Sequence, residues 1–172
     1  IILASASPRR REILEKYKIE HEILKSNLIE KTNPADRPEV TAMGLAFEKA
    51  MDIARGNPDK VIIGADTLVV YKDEILGKPK DKEDARRILE KLNGKSHKVI
   101  TGLSLIHLVS QRKVIDYEVT KVKFRKLDKE FIERYVETNQ PLDKAGAYGI
   151  QDYGALLVES IEGCYLNVVG LP

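Results

Sequence analysis

One acidic residue, Asp66, interrupts a long apolar stretch of this chain, and its position predicts chemistry. The stretch, Val61–Tyr71, is rich in β-branched residues and too short to span a membrane, which is typical of a buried central strand. A carboxylate in such a strand loses its hydration, and this is costly unless a cation, a metal ion or strong donors lie beside it. The alternative is an aspartate that caps a turn at a strand end, but Leu68-Val69-Val70 continues the apolar run. We interpret Asp66 as a functional acid, because perturbed carboxylates concentrate at active sites.

Three consecutive arginines, Arg9–Arg11, follow Ser7-Pro8 near the start of the chain. Ser7 and Pro8 predict a helix start, with the serine as N-cap and the proline at the first helical position. Positive charge there opposes the helix macrodipole, and a bound anion would remove the conflict, because free backbone N–H groups and guanidinium groups both bind phosphate. The alternative is a solvated basic turn in which Arg11 pairs with nearby acids. We favour the anion site.

Other charged residues complete the set that a metal-assisted phosphate enzyme needs. Besides Asp66 and the arginines, they are Lys49, Lys78, Lys144 and Glu30. Cations hold the oxygens of a polyphosphate, while separated carboxylates hold Mg²⁺ or activate water. The sequence has no Walker loop, no G-x-G-x-x-G motif after a strand and no zinc-binding spacing of Cys and His. Residue types and spacing alone therefore predict a phosphate-handling enzyme and nothing more specific.

The composition indicates the class of protein. A chain of 172 residues with 42% hydrophobic and 33% charged residues is typical of one soluble globular domain, residues 1–172. The formal net charge of +2 argues against a sequence-independent nucleic-acid binder. Cys164 is the only cysteine, so no intramolecular disulfide is expected and a cytoplasmic location is predicted. No signal peptide or membrane span is visible in these residues, so no membrane partner is expected.

Hydrophobic periodicity and turn residues predict the elements that must position these side chains. Strands are expected at 1–4, 19–25, 61–71, 98–109, 114–124, 145–151 and 155–161, and helices from residue 8 and at 38–54, 82–93 and 128–138. Hairpins mixed with crossover helices indicate an α/β (mixed α+β) fold around a mixed sheet.

Short motifs along the whole chain resemble those of the Maf family, nucleotide pyrophosphatases first named for inhibition of septum formation. The matching stretches, in family order, are Leu3–Arg10, Gly64–Thr67, Leu76–Pro79, Leu92–Gly94, Thr101-Gly102, Pro141–Gln151 and Asn167–Pro172. Each motif is weak by itself, and their combination and order carry the resemblance.

The resemblance implies a fold, a reaction and a set of site residues. The fold would be an elongated mixed β-sheet with flanking helices forming two lobes around a deep cleft, similar to inosine triphosphatase. The reaction would hydrolyse a nucleoside triphosphate to the monophosphate and pyrophosphate with Mg²⁺ or Mn²⁺, as housecleaning of the nucleotide pool. By family analogy, Asp66 activates water and holds the divalent metal cation together with Glu30. The same analogy assigns substrate contacts to Ser5, Arg9, Arg10, Lys49, Thr67, Lys78 and Gln151.

Three positions, Arg9, Thr67 and Gln151, resemble the dTTP/UTP-type subgroup. The subgroup that acts on 7-methyl-GTP tends to carry Trp, Gln and Glu there. An amide both donates and accepts, which suits the O4 and N3–H edge of uracil or thymine. Ile29 departs from the pattern, since many relatives have a second acid before Glu30. This departure implies weaker metal binding or Glu30 as the sole ligand from its loop.

Other functions remain open to the sequence. A non-catalytic, nucleotide-sensing regulator of septum formation would bind dTTP or UTP and release no pyrophosphate. A nucleic-acid-binding module built on Arg9–Arg11 is disfavoured by the near-neutral charge and by the presence of only seven Tyr and three Phe. The sequence also leaves open whether the chain forms a homodimer.

Overall fold

The structure, a computed structural model, describes residues 1–172 as a mixed α/β fold with one seven-stranded sheet. Its strands are β1 (Ile2–Leu3), β2 (Glu22–Ile23), β3 (Ile62–Tyr71), β4 (Glu74–Leu76), β5 (Ser96–His107), β6 (Arg112–Phe124) and β7 (Val158–Glu162). Its helices are α1 (Pro8–Lys16), α2 (Pro38–Ala54), α3 (Lys82–Leu92), α4 (Lys129–Glu137) and α5 (Tyr165–Val169). The strand order is β2-β1-β3-β5-β6-β7, with β4 paired to β3.

The sheet contains both parallel and antiparallel pairs. Strand β1 runs parallel to β2 and to β3, whereas β3–β4 and β6–β7 are antiparallel. The predicted α/β class with a mixed sheet is confirmed. The helix predicted at 38–54 has the bounds of α2.

Two predicted strands near the C-terminus are wrong in whole or in part. Short 3₁₀ segments, Ala145–Ala147 and Asp152–Leu157, occupy the start of each predicted strand, and β7 begins only at Val158. The reason lies in the backbone, because Gly146 and Ala147 have φ values of +68° and +60°, which a strand does not accommodate. A run of small residues fits a strand and a tight turn equally well, so its composition did not distinguish them.

The chain divides into two compact units, each with its own core. Unit 1 comprises Ile1–Thr67, Thr101–Glu118 and Gly170–Pro172, and unit 2 comprises Leu68–Ile100 and Val119–Val169. The core of unit 1 includes Ile2, Ala4, Ala50, Ala54, Ile62 and Ile106. The larger core of unit 2 includes Leu89, Leu92, Val99, Phe124, Val136 and Leu157.

Helix α2 packs closely against the sheet of unit 1 because two strand positions are glycines. A Cβ atom on Gly64 of β3 would lie 2.2 Å from the carbonyl oxygen of Ala46, and one on Gly102 of β5 would lie 2.2 Å from that of Ala42. Only glycine permits so close an approach of two backbones. The register of α2 over β3 follows from these contacts.

None of the helices combines the length and the apolar character that a membrane crossing requires.

Candidate active site

Asp66 of β3 lies against α2 and pairs with Lys49 of that helix. Side chains of a strand alternate between its faces, so Asp66 points to the same side as Gly64, which contacts α2. The Nζ atom of Lys49 lies 2.5 Å from Oδ1 of Asp66 and 2.7 Å from Oε1 of Glu30. We call these three residues the carboxylate cluster. One ammonium group thus joins the two carboxylates that the sequence singled out.

Burial and charge act in opposite directions on Asp66. The residue is only 9% exposed, and this desolvation raises the pKa of its carboxyl above the ordinary value. The ion pair with Lys49 and the nearby charge of Arg10 oppose the effect, while Glu30 adds to it. A carboxylate with a raised pKa is a stronger base than a fully hydrated one. Its Oδ1 atom is taken by Lys49, and its Oδ2 atom has no protein partner, so that oxygen can accept a proton.

Arg10 of α1 forms a second group of contacts. Its Nε donates to the Gly170 carbonyl at 2.7 Å, its Nη1 to Ser5 Oγ at 3.0 Å and its Nη2 to Thr67 Oγ1 at 3.1 Å. The hydroxyl oxygens of Thr67 and Thr101 lie 2.9 Å apart. We call Ser5, Arg10, Thr67, Thr101 and the Gly170 carbonyl the arginine cluster. All of its members belong to unit 1, as does the carboxylate cluster.

The arginine cluster fixes a buried cation close to the acid. Arg10 is 8% exposed, and burial lowers the pKa of its guanidinium while the charge of Asp66 raises it. The group stays charged, because a guanidinium does not lose its proton in proteins. Three of its five N–H groups bond to protein atoms, which leaves two for a ligand.

The three arginines of the sequence therefore have different environments. Arg10 is buried, Arg9 is half-buried, and Arg11 is exposed and pairs with Glu15 at 2.6 Å. The alternative considered for Arg11, an ion pair with a nearby acid, is confirmed. Ser7 precedes α1 but makes no capping bond with its side chain, and its backbone N–H instead donates to Ser5 Oγ at 3.2 Å.

The remaining predicted residues, Lys78 and Gln151, belong to unit 2. Lys78 is exposed, and Gln151 is half-buried directly before the 3₁₀ segment Asp152–Leu157. Neither side chain has a hydrogen-bond partner within the protein, so both are available to a ligand.

Sequence reasoning about individual residues did not single out Thr101 or the Gly170 carbonyl. A signal for Thr101 existed, since its hydroxyl interrupts the apolar strand predicted at 98–109, as Asp66 interrupts its own strand. No comparable signal exists for Gly170, because a backbone carbonyl carries no side-chain signature.

The carboxylate cluster fits one kind of metal site. No group of three or more His, Cys, Asp or Glu residues could enclose an ion. However, carboxylate oxygens of Asp66 and Glu30 converge on the Lys49 ammonium, and Mg²⁺ is commonly held by one or two carboxylates together with water and substrate phosphates. The residues present therefore fit a divalent cation shared with a phosphate ligand and do not fit an all-protein cage.

Comparison with known proteins adds evidence that covers the whole chain. The family model for Maf-like proteins matches residues 1–172. A dTTP/UTP pyrophosphatase of Clostridioides difficile (strain 630) is 54% identical over 172 residues, which are 100% of this chain and 89% of that protein. A dTTP/UTP pyrophosphatase of Aquifex aeolicus (strain VF5) is 50% identical over 173 residues, again 100% and 89% of the two chains. A solved structure of a HAM1 protein from Coxiella burnetii aligns with 72% of this chain and 71% of its own at a TM-score of 0.46 and 14% identity.

Proposed function

Since this chain belongs to the Maf family, as its full-length match confirms, we propose that it hydrolyses dTTP and UTP to the monophosphate and pyrophosphate. The observation that carries the proposal is the buried Asp66, which is paired through one oxygen with Lys49 and free at the other. The names of relatives about 50% identical over the whole chain support the same reaction and substrates.

Asp66 acts as the general base in this proposal. Its Oδ2 atom accepts a proton from a water molecule, and the oxygen of that water attacks a phosphorus atom of the anhydride bond between the α- and β-phosphates. The bond breaks, pyrophosphate leaves, and the proton from water passes through the carboxyl to solvent. Lys49 keeps Asp66 ionised and correctly oriented, because its ammonium bonds Oδ1 at 2.5 Å. A positioned base of this kind contributes about 10²- to 10⁴-fold to a rate.

The metal in this proposal is Mg²⁺ or Mn²⁺, with Asp66 and Glu30 as its protein ligands. When bound, a divalent cation neutralises charge on the phosphate oxygens. Lys49 bonds both carboxylates through two of its three N–H groups, and the third can donate to a phosphate oxygen of the substrate. Glu30 is the only metal ligand from its loop in this proposal, since Ile29 stands where many relatives have a second acid.

The other predicted contacts bind the nucleotide. Arg10, Lys49 and Lys78 hold phosphate oxygens, and Ser5 lies beside Arg10. Arg9, Thr67 and Gln151 select the pyrimidine, and the hydroxyl of Thr67 and the amide of Gln151 can match both donors and acceptors of its edge. We place this activity in the cytoplasm as control of the nucleotide pool, in keeping with the single Cys164.

Pyrophosphate release from UTP and dTTP, with Mg²⁺ or Mn²⁺ present, tests the proposal directly. We expect Asp66→Asn to lower kcat by at least about 100-fold, because the shape survives and the base does not. Calorimetry should show that this variant still binds UTP. Asp116→Asn, which changes an exposed acid of β6 in the same way, serves as the matched control and should keep wild-type activity.

The same assay separates the alternatives. Wild-type protein that binds UTP but releases no pyrophosphate would be a nucleotide-sensing regulator. Near-normal turnover by Asp66→Asn would assign the base to another group. Preference for a purine triphosphate would overturn the substrate assignment alone.

A further inference from the structure

Lys144 belongs to the cations that the sequence singled out, and the proposed reaction gives it no task. Its side chain is only 17% exposed, and its Nζ atom donates to the Gln140 carbonyl at 2.7 Å and to Oδ1 of Asp143 at 2.6 Å. Two of its three N–H groups are therefore occupied by its own segment of the chain. An ordered lysine side chain has lost much rotational freedom, so these contacts are informative.

The aliphatic part of Lys144 lies over the backbone of Gly149. A Cβ atom on Gly149 would lie 2.9 Å from Cε and 3.0 Å from Cδ of Lys144, so the lysine occupies the space that a side chain would fill. The same lysine bonds the Gln140 carbonyl through its Nζ atom. One side chain therefore connects the 3₁₀ segment Gln140–Asp143 to Gly149.

The chain just before Gly149 has anchors of its own. The Lys144 carbonyl accepts the N–H of Ala147 at 3.0 Å, which closes the turn between them. Tyr148 is buried, and its Oη atom lies 2.7 Å from Nε2 of His97 in the core of unit 2. The packing of the Lys144 side chain on Gly149 extends this support by one residue.

The chain from Gly149 to Gly154 forms a short loop whose ends meet. A Cβ atom on Gly154 would lie 1.8 Å from the Gly149 carbonyl oxygen, an approach that only glycine permits. Ile150 is buried, whereas Gln151 is half-buried with no hydrogen-bond partner for its amide in the protein. The orientation of the Gln151 amide therefore depends on the backbone at Gly149, where Lys144 packs.

We propose that Lys144 is a positioning residue that holds the Gly149 backbone and thereby orients Gln151 toward the base of the nucleotide. This inference rests on the proposed function, since it assigns recognition of the pyrimidine to Gln151. An amide recognises a base edge only when its donor and its acceptor each meet the matching group, so its orientation matters. The rival role is a direct bond from the third N–H of Lys144 to a phosphate oxygen of the substrate.

The variant Lys144→Met removes the ammonium group and keeps an unbranched side chain. We expect KM for UTP to rise about three- to tenfold, the effect of one or two lost hydrogen bonds, while kcat stays within about twofold of the wild type. The measurement is steady-state release of pyrophosphate. Lys98→Met, which changes an exposed lysine of β5 in unit 2, is the matched control and should keep the wild-type KM.

Two further measurements separate positioning from the other roles. In the Gln151→Ala background there is no amide to orient, so adding Lys144→Met should raise KM by a smaller factor than it does in the wild type. Inorganic tripolyphosphate, used as a competitive inhibitor of UTP hydrolysis, tests the phosphate contacts alone. Its inhibition constant should be the same for Lys144→Met and the wild type.

A second variant changes the same contact from the other side. Gly149→Ala adds a methyl group where the Lys144 side chain now lies, so it should also raise KM for UTP. Thermal unfolding shows whether each variant folds, and Gly149→Ala replaces Lys144→Met in all of these measurements if the latter does not.

Three results would overturn the inference in an active protein. An unchanged KM in Lys144→Met would show that Gln151 does not depend on Lys144. An equal rise in KM in the wild-type and Gln151→Ala backgrounds would assign Lys144 a role independent of Gln151, and weaker inhibition by tripolyphosphate would assign it a phosphate contact. Wild-type protein that hydrolyses no triphosphate would instead overturn the proposed function, and the inference with it.

Discussion

At the scale of single residues, the site depends on a balance between desolvation and charge at Asp66. Removing this carboxylate from water raises its pKa, and Lys49 and Arg10 act against that rise. Without those cations, burial would raise the pKa of Asp66 further and favour its protonated form, which cannot take a proton from water. Without burial it would be a weaker base. The ion pair of 2.5 Å and the low exposure are therefore both required for the proposed role.

Specificity is the second property that belongs to single residues, and Gln151 tests it. Replacing its amide by a carboxylate in Gln151→Glu removes a donor and adds a charge, so we expect kcat/KM for UTP and dTTP to fall about tenfold or more. The ranking of substrates in a triphosphate panel is the measurement. Gln140→Glu makes the same change elsewhere in unit 2 and should leave the ranking as it is. An unchanged ranking in Gln151→Glu would remove Gln151 from base recognition.

At the scale of elements, the position of Lys49 depends on how closely α2 approaches the sheet. The missing side chain of Gly64 lets the carbonyl of Ala46 come within a distance that no Cβ tolerates. Because Lys49 follows Ala46 by one helical turn, the contact also determines where its side chain begins. Packing and the site are thus coupled through a single glycine.

Substituting this glycine should damage both stability and activity. We expect Gly64→Ala to lower the free energy of unfolding by about 3 kcal/mol or more, because the added methyl group has no space. Gly44→Ala in α2 is the control, since nothing lies within 4 Å of its added Cβ and alanine favours a helix by up to about 1 kcal/mol. Urea denaturation measures the free energy of unfolding of the two variants. Equal stability of the two variants would contradict the packing argument.

Strand β5 carries a buried histidine that links stability to pH. His97 is 3% exposed, its Nε2 lies 2.7 Å from Tyr148 Oη, and its ring packs edge-on against Phe124 and Tyr148. Burial lowers the pKa of His97 to about 4 from its ordinary value of 6.5. As the pH falls from 6.5 to about 4, His97 binds a proton in the unfolded chain and not in the folded chain, so the free energy of unfolding decreases.

The loss should reach about 3 kcal/mol when the pH has fallen to about 4. In His97→Gln, the dependence of the unfolding free energy on pH should be flatter across that window by this amount. Tyr148→Phe removes the partner and keeps the imidazole, so its pH dependence should stay close to that of the wild type. If His97→Gln and the wild type lose stability in parallel, His97 is not the group responsible.

At the scale of the whole molecule, the net charge and the placement of the arginines argue against a binding surface for nucleic acid. The net charge is +2, Arg10 is buried, and Arg11 is paired with Glu15, so the basic run of the sequence is not a basic patch. We expect no binding of a short single-stranded oligonucleotide at physiological salt, measured by fluorescence anisotropy, under conditions in which UTP binds. Binding that weakens steeply with salt would contradict this expectation.

The sequence by itself determined the features that depend on local pattern. The apolar run around Asp66 specified β3, the spacing of apolar residues specified α2, and motifs in order specified the Maf family. Periodicity is a property of neighbouring residues, and burial of one face is enough to enforce it. A charged residue inside an apolar run interrupts this local pattern, so the sequence alone identified Asp66 as unusual.

Only the tertiary structure decided which groups meet. Arg10 bonds the carbonyl of Gly170, 160 residues further along the chain, and Thr101 meets Thr67 across two strands. Neither contact can be predicted from the periodicity of the sequence, because each depends on how distant segments pack. The segment 145–147 is not the predicted strand for a related reason, since its left-handed Gly146 donates its N–H to the carbonyl of Gly77 and leaves no space for a Cβ against Val69, and both partners lie outside the segment.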